Sequence, residues 1–221
     1  MALPLFRKQP LIAPAVPNLP LATPQYEQRY IDQLNNVLRL YFNRLNNFNQ
    51  AFSTNVGGAL LQFPHGAFSS SQTQTTTANT ATLMTLNTTD FSNGGVTINS
   101  SKITAAVAGT YNLQFSGQFQ NTDNAQHDIS IWLRQNGVDI PGSTGFISIP
   151  ARKSAGAGNE GHGIYGWNYY VQLQANDYIE LWWSTTNATV TIHYYPASTG
   201  PVRPATQSVV ATLSFVSALF P

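Results

Sequence analysis

Four histidines (His65, His127, His162, His193), nine carboxylates and four tryptophans are the side chains through which this 221-residue chain could do chemistry. Glycoside cleavage needs two carboxylates facing one bond. Here the acids stand mostly singly, with Asp90, Asp123, Asp139 and Asp177 in turn-like sequence. The histidines lack metal-ligand spacing. Glu160 and His162 share one glycine-rich stretch, Gly156 to Gly163, and could join a site completed by a neighbouring chain. That stretch has no Gly-Lys-Ser/Thr end for cradling phosphate, so residues 154–163 read as a hairpin loop of unassigned role. Gly142-Ser-Thr-Gly145 has the wrong spacing for a nucleophile elbow. Without cysteine there is no thiolate nucleophile, thiolate metal site or disulfide. No catalytic residue, metal or cofactor is expected, and the chain reads as non-enzymatic.

The aromatics are more informative. Trp132, Tyr170, Tyr178 and Trp182 fall on the opposite phase from the aliphatic residues of their segments. Both faces of those strands are then apolar, a patch that soluble monomers avoid exposing. A subunit interface and a carbohydrate-stacking platform both account for it, interface burial being the commoner cause.

Composition narrows the classes further. Charged residues are 9% of the chain, against roughly 25% in an average soluble domain. Asn, Thr, Ser and Gln supply about a third of the residues and take over the surface. Net charge is +1, and no basic stripe exists to neutralise a phosphate backbone, so nucleic acid is not an expected partner. No apolar run approaches the length of a membrane span, so no membrane insertion is expected. Met1 to Lys8 lacks the pattern of a secretory signal, and the chain is expected to be made and used without translocation.

Three regions must position these residues. Residues 1–24 carry six of the thirteen prolines, with Leu5, Phe6, Leu11, Ile12, Val16, Leu19 and Leu21 between them. Proline lacks a backbone donor and pushes its predecessor toward extended geometry. The region reads as an extended docking arm, adding as a strand to an exposed sheet edge on another protein or a neighbouring copy. Residues 25–53 read as a helix with an N-cap and first-turn proline at Thr23-Pro24. Its apolar stripe, Tyr30, Leu34, Val37, Tyr41, Leu45, Phe48 and Phe52, advances in six steps over 22 residues, a mean of 3.67. That period is close to an eleven-residue repeat. Leu38, Leu40 and Phe42 widen the apolar sector, and the other face is Asn and Gln. Packing on the chain's own domain would cover the stripe. A self-associating bundle fits the wide sector better.

From residue 66 to residue 221 the period becomes 2. Tyr111, Leu113, Phe115 and Phe119 alternate with polar residues, as do Ile129, Ile131 and Leu133. Tyr165 to Leu173, Ile179 to Trp183 and Val209 to Phe215 follow the same rule. Turn signals at Asn93-Gly94-Gly95, Asn136-Gly137, Pro141-Gly142 and Asn176-Asp177 separate the runs. About eight to ten antiparallel strands at this spacing predict a β-sandwich or jelly roll, a mainly β class.

Gly109-Thr-Tyr-Asn-Leu-Gln-Phe115, Ile131-Trp-Leu-Arg-Gln-Asn-Gly137 and Leu173-Gln-Ala-Asn-Asp-Tyr-Ile-Glu-Leu181 together resemble the globular heads of complement and the tumour necrosis factor ligands. The resemblance spans residues 66–221, and Asn176 stands where that family usually has Gly. It implies a ten-stranded jelly roll assembled as a tight homotrimer. Pro17-Asn-Leu-Pro20 followed by Tyr30-Ile-Asp-Gln-Leu-Asn-Asn-Val-Leu-Arg-Leu-Tyr-Phe-Asn43 is similar to openings of virion structural proteins of tailed phages. That likeness implies a fibre, spike or decoration protein in the virion. Residues 1–24 would dock to capsid, collar or tail, residues 25–53 would trimerise, and the head would face a host-surface glycan or protein. The alternative class is a carbohydrate-binding module, with Trp132 and Trp182 as its stacking surface, and a glycan-cleaving enzyme is a remote third.

Overall fold

A computed structural model of the chain describes residues 14–21, 24–53, 63–156 and 158–219. The chain divides between Gln62 and Phe63 into two units.

In the first unit, residues 14–21 form no strand or helix, and Pro14, Pro17 and Pro20 are half-buried while the residues between them are exposed. A burial period of three matches the three-residue turn of a polyproline II helix and not the two-residue period of a strand. Val16, Leu19 and Leu21 point to solvent, and Leu5, Phe6, Leu11 and Ile12 lie outside the described residues. Helix α1 spans Gln28–Ser53. Its first intrahelical bonds run from the amides of Tyr30 and Ile31 to the carbonyl of Glu27. The helix thus starts later than the Thr23-Pro24 signal suggests, because Pro24 and Gln25 sit in a bend. Tyr30, Leu34, Val37, Tyr41, Leu45 and Phe48 are all half-buried, most of the residues between them are exposed, and no described residue of α1 is fully buried. The Phe52 side chain lies outside the described residues. Leu40 and Phe42, expected to extend the covered sector, are exposed.

The second unit is mainly β. Its strands are β1 (His65–Ser70), β2 (Thr82–Leu83), β3 (Thr88–Asn93), β4 (Val96–Asn99), β5 (Lys102–Ala105), β6 (Gly109–Asn121), β7 (His127–Gln135) and β8 (Val138–Asp139). They continue with β9 (Gly145–Ile149), β10 (Gly161–Leu173), β11 (Tyr178–Thr185), β12 (Val190–Ile192), β13 (Ser198–Thr199), β14 (Val202–Arg203) and β15 (Val209–Ser217). All pairings are antiparallel. The described strands outnumber the eight to ten runs visible in the sequence, because two- and three-residue strands such as β2, β8 and β12 are too short to show alternation.

One sheet runs β10-β6-β15-β1-β3, with β12 also on β6. The other runs β4-β5-β11-β7-β8, with β2 on β11 and β9 on β7. The pairing is nested: β1 with β15, β5 with β11, β6 with β10, and β7 with β9.

Alternation puts one residue in two of each strand between the sheets. Tyr111, Leu113, Ile131, Leu133, Ile179, Trp183, Val209 and Leu213 are all fully buried there. Each large side chain so removed from water contributes about 1.5 to 3 kcal/mol. Phe119 of the first sheet meets Trp183 of the second edge to face, 6.1 Å between centroids. The turns lock one another. Asn136 (φ 51°) and Gly137 (φ 81°) make the left-handed pair that a tight hairpin needs. Asp177, beside left-handed Asn176, accepts from Asn136 Nδ2 at 2.7 Å and Gln135 Nε2 at 3.1 Å. Burial alone would raise the Asp177 carboxyl; these bonds and the Gln174 amide outweigh it and hold the group below its ordinary value.

Candidate functional site

The sandwich has two outer faces, and they differ in kind. On the β11–β7 face, register sets Trp182 opposite Trp132 and Glu180 opposite Arg134. Asp139, opposite Arg134 on the short β8 strand, accepts at 2.8 Å both from Arg134 Nε and from the Trp132 indole N–H. The Arg134 bond first, then that of Trp132, holds the Asp139 carboxyl below its ordinary value. A general acid needs the opposite shift. The Arg134 guanidinium lies 3.9 Å from the Trp182 ring centroid, and the Trp182 indole N–H donates to buried Glu180 at 3.3 Å. Lys102 Nζ sits 4.5 Å over the Tyr178 ring. Every charge and indole N–H in this ladder has a partner in the chain. Arg134 covers one face of the Trp182 ring, and both indole donors are engaged.

On the β10–β6–β15 face the pattern inverts. None of these three strands contains Lys, Arg, Asp or Glu at any position. Their outward residues are amides, hydroxyls and a few apolar groups: Ile164, Tyr170, Val210 and Val216 are exposed. Among the described residues, the side chains of Asn112, Gln114, Gln118, Gln120, Asn168 and Gln172 make no hydrogen bond within the chain, and Asn112 Oδ1 is buried without a partner. A groove of about 450 Å³ runs between Gln114, Ser116, Ile164, Gly166 and Asn168. A second, of about 240 Å³, continues beside Val210 and Thr212. Gly166 is what lets β10 lie so close here, since a Cβ on it would stand 2.0 Å from the Phe115 carbonyl oxygen.

The four outward aromatics therefore do not form one surface. Tyr170 stands on the uncharged face, half its side chain in solvent, while Trp132, Tyr178 and Trp182 share the charged one.

Glu160 and His162 do meet, in company that the sequence did not suggest. His162 lies on β10 and not in a loop, opposite Gln120 of β6, whose other neighbour is Thr191 of β12. The chain then runs on through His193, whose amide donates to the Gln118 carbonyl at 2.6 Å. Tyr195 Oη and His162 Nδ1 are 2.9 Å apart, the His193 and Tyr195 rings 4.5 Å, and Glu160 Oε2 and His162 Nε2 4.0 Å. Arg203 on β14 covers the Tyr195 ring at 5.2 Å. Burial, followed by the charge of Glu160, pushes the Tyr195 hydroxyl up to about 12, so it stays protonated. Burial, followed by the charge of His162, pushes His193 down from 6.5. The Glu160 carboxylate is held below its ordinary value by the amides of Glu160 and Gly158. This corner lies at the end of the uncharged face away from Phe63 and Pro64, which bind the far end of β15 at Phe215. A separate pair, Asp123 and His127, closes the β6–β7 turn at 2.7 Å.

No group of three or more His, Asp or Glu among the described residues is placed to hold a metal ion, and no described helix is long and apolar enough to cross a membrane. No protein-family model matches the chain, and no curated protein is significantly similar to it.

Proposed function

We propose that the chain is a non-enzymatic structural protein of a tailed-phage virion: a homotrimeric fibre, spike or decoration protein. Its N-terminal arm anchors it to capsid, collar or tail, and its jelly-roll head is displayed outward to touch a host-surface glycan or protein. The observation that carries self-association is the uncharged face of β6, β10 and β15. Charge depletion marks interface cores, and unpaired amides there can exchange hydrogen bonds with a second copy. Strands of thirteen, thirteen and nine residues, rising about 3.3 Å per residue and spaced about 4.8 Å apart, offer roughly 550 Å². That is close to the roughly 600 Å² that each partner contributes at the low end of stable interfaces.

The nested pairing of β1 with β15, β5 with β11, β6 with β10 and β7 with β9 supports the jelly-roll reading. The half-buried stripe of α1, with none of its described residues fully buried, supports a helix that completes its packing with other copies. The virion assignment draws on the likeness of residues 17–43 to phage openings and on the low charge. Deleting residues 2–22 tests the orientation: the truncated protein should remain a soluble trimer yet be missing from purified particles by immunogold labelling. Truncated protein on particles at normal occupancy would place attachment in the head.

A further inference from the structure

We propose that Glu160, His162, His193, Tyr195 and Arg203 form an acid-released latch. It pins residues 193–207 across the rim of the uncharged face, so that assembly through that face weakens as pH falls. The inference rests on the reading of this face as the subunit interface.

Residues 193–207 leave the sheet after β12 and return at β15, carrying the β13–β14 hairpin. The root of this excursion is closed by mutual backbone bonds between Tyr195 and Thr206, at 3.1 and 2.8 Å. What ties it to β10 is Tyr195 on His162 at 2.9 Å. His162 has the outward phase of β10, in line with Ile164, Gly166 and Asn168 of the groove. The latch therefore sits on the face itself, at its end.

Its charges balance in one state only. With both imidazoles neutral, the cluster holds one cation, Arg203 over the Tyr195 ring, and one anion, Glu160, while Tyr195 Oη and His162 Nδ1 share a hydrogen bond. Protonating His193 sets two cations, His193 and Arg203, against Glu160 alone. The groups facing His193 are Tyr195 of its own segment, Thr191 of β12, Gln118 of β6, Glu160 just ahead of β10 and His162 on it. Of these only Glu160 is an anion. Because the folded segment disfavours protonated His193, the latch is fully formed above 6.5 and loses stability as pH falls through that value.

Hydrogen exchange and sedimentation of the full chain between about pH 8 and about pH 5 test this. After correction for the intrinsic pH trend, exchange in 193–207 should rise about tenfold in acid, while β1 amides stay protected. Trimer should dissociate over the same range. His193→Gln should keep both protection and trimer at about pH 5. Tyr195→Phe, which removes the bond to His162 but keeps the ring, should already exchange fast at about pH 8. Wild-type exchange that ignores pH, or an undiminished acid response in His193→Gln, would overturn the latch. A protein monomeric at every pH whose 193–207 exchange still responds would overturn the link to assembly, and the fault would lie with the interface reading.

Discussion

The two outer faces of one sandwich solve the same geometric problem in opposite ways. Each is the solvent-side phase of strands whose other phase builds the core. On the β7–β11 face the charged and indole groups are paired within the sheet: Arg134 with Asp139 and Trp182 and Trp132 with Asp139 across strands, and Trp182 with Glu180 along β11. On the β6–β10–β15 face the amides are left without partners and charge is absent. A face that satisfies itself gains nothing from a neighbour. A face with open donors and acceptors and no charge to desolvate gains much. Low charge across a whole sequence therefore hides a local asymmetry, and on that asymmetry the proposed meeting of copies rests.

The largest effect should come from placing a charge on each face in turn. Ser116→Arg would bury an unpaired guanidinium between copies, at a cost of about 3 to 5 kcal/mol. By sedimentation it should convert trimer to monomer at micromolar concentration. Ser130→Arg, at the matching phase of β7, should leave assembly untouched. Equal behaviour of the two variants would erase the distinction between the faces.

Truncating the ladder should do the reverse. Trp182→Ala removes the platform under Arg134 and strands buried Glu180. It should cost the head about 2 to 4 kcal/mol in urea unfolding, with the subunit count unchanged. Leu34→Asp with Tyr41→Asp in α1 should weaken assembly by about 2 kcal/mol, less than Ser116→Arg if the head face dominates. A larger loss would shift the main interface to the helix.

The smallest effect is electrostatic. Asp139 is held below its ordinary value in the folded head, so it contributes stability above 3.8 that is lost as pH falls through that value. Asp139→Asn should flatten this acid decline in the urea midpoint and leave the trimer intact. An unchanged slope would mean the Arg134 contact is not formed in solution.

Much of the head could be read from the sequence because each long strand is half-buried. The alternation of Tyr111 to Phe119 and of Ile179 to Trp183 therefore predicts which residues point inward, and Asn136-Gly137 predicts its hairpin. Phase says only that a residue points outward. It does not say from which sheet, since sheet membership is set by pairing between distant strands, and so Tyr170 could not be separated from Trp132, Tyr178 and Trp182. The corner at His162 was half legible for the same reason. Tyr195 lies 33 residues further on, and only the shared neighbour β6 brings β10 and β12 together. The signal that could have pointed there is His193-Tyr194-Tyr195 directly after Val190-Thr191-Ile192, titratable and aromatic groups leaving a buried strand. In α1 the stripe was legible but its start was not. Pro24 reads as a first-turn proline, whereas the helix waits until Gln28 because Pro24 and Gln25 form a bend.

Sedimentation equilibrium of the full-length chain, run beside Ser116→Arg at micromolar concentration, tests the central claim most directly. A wild-type species of three 24.1 kDa chains and a monomeric variant are expected. A wild-type monomer, or a trimer that tolerates arginine at position 116, would contradict it.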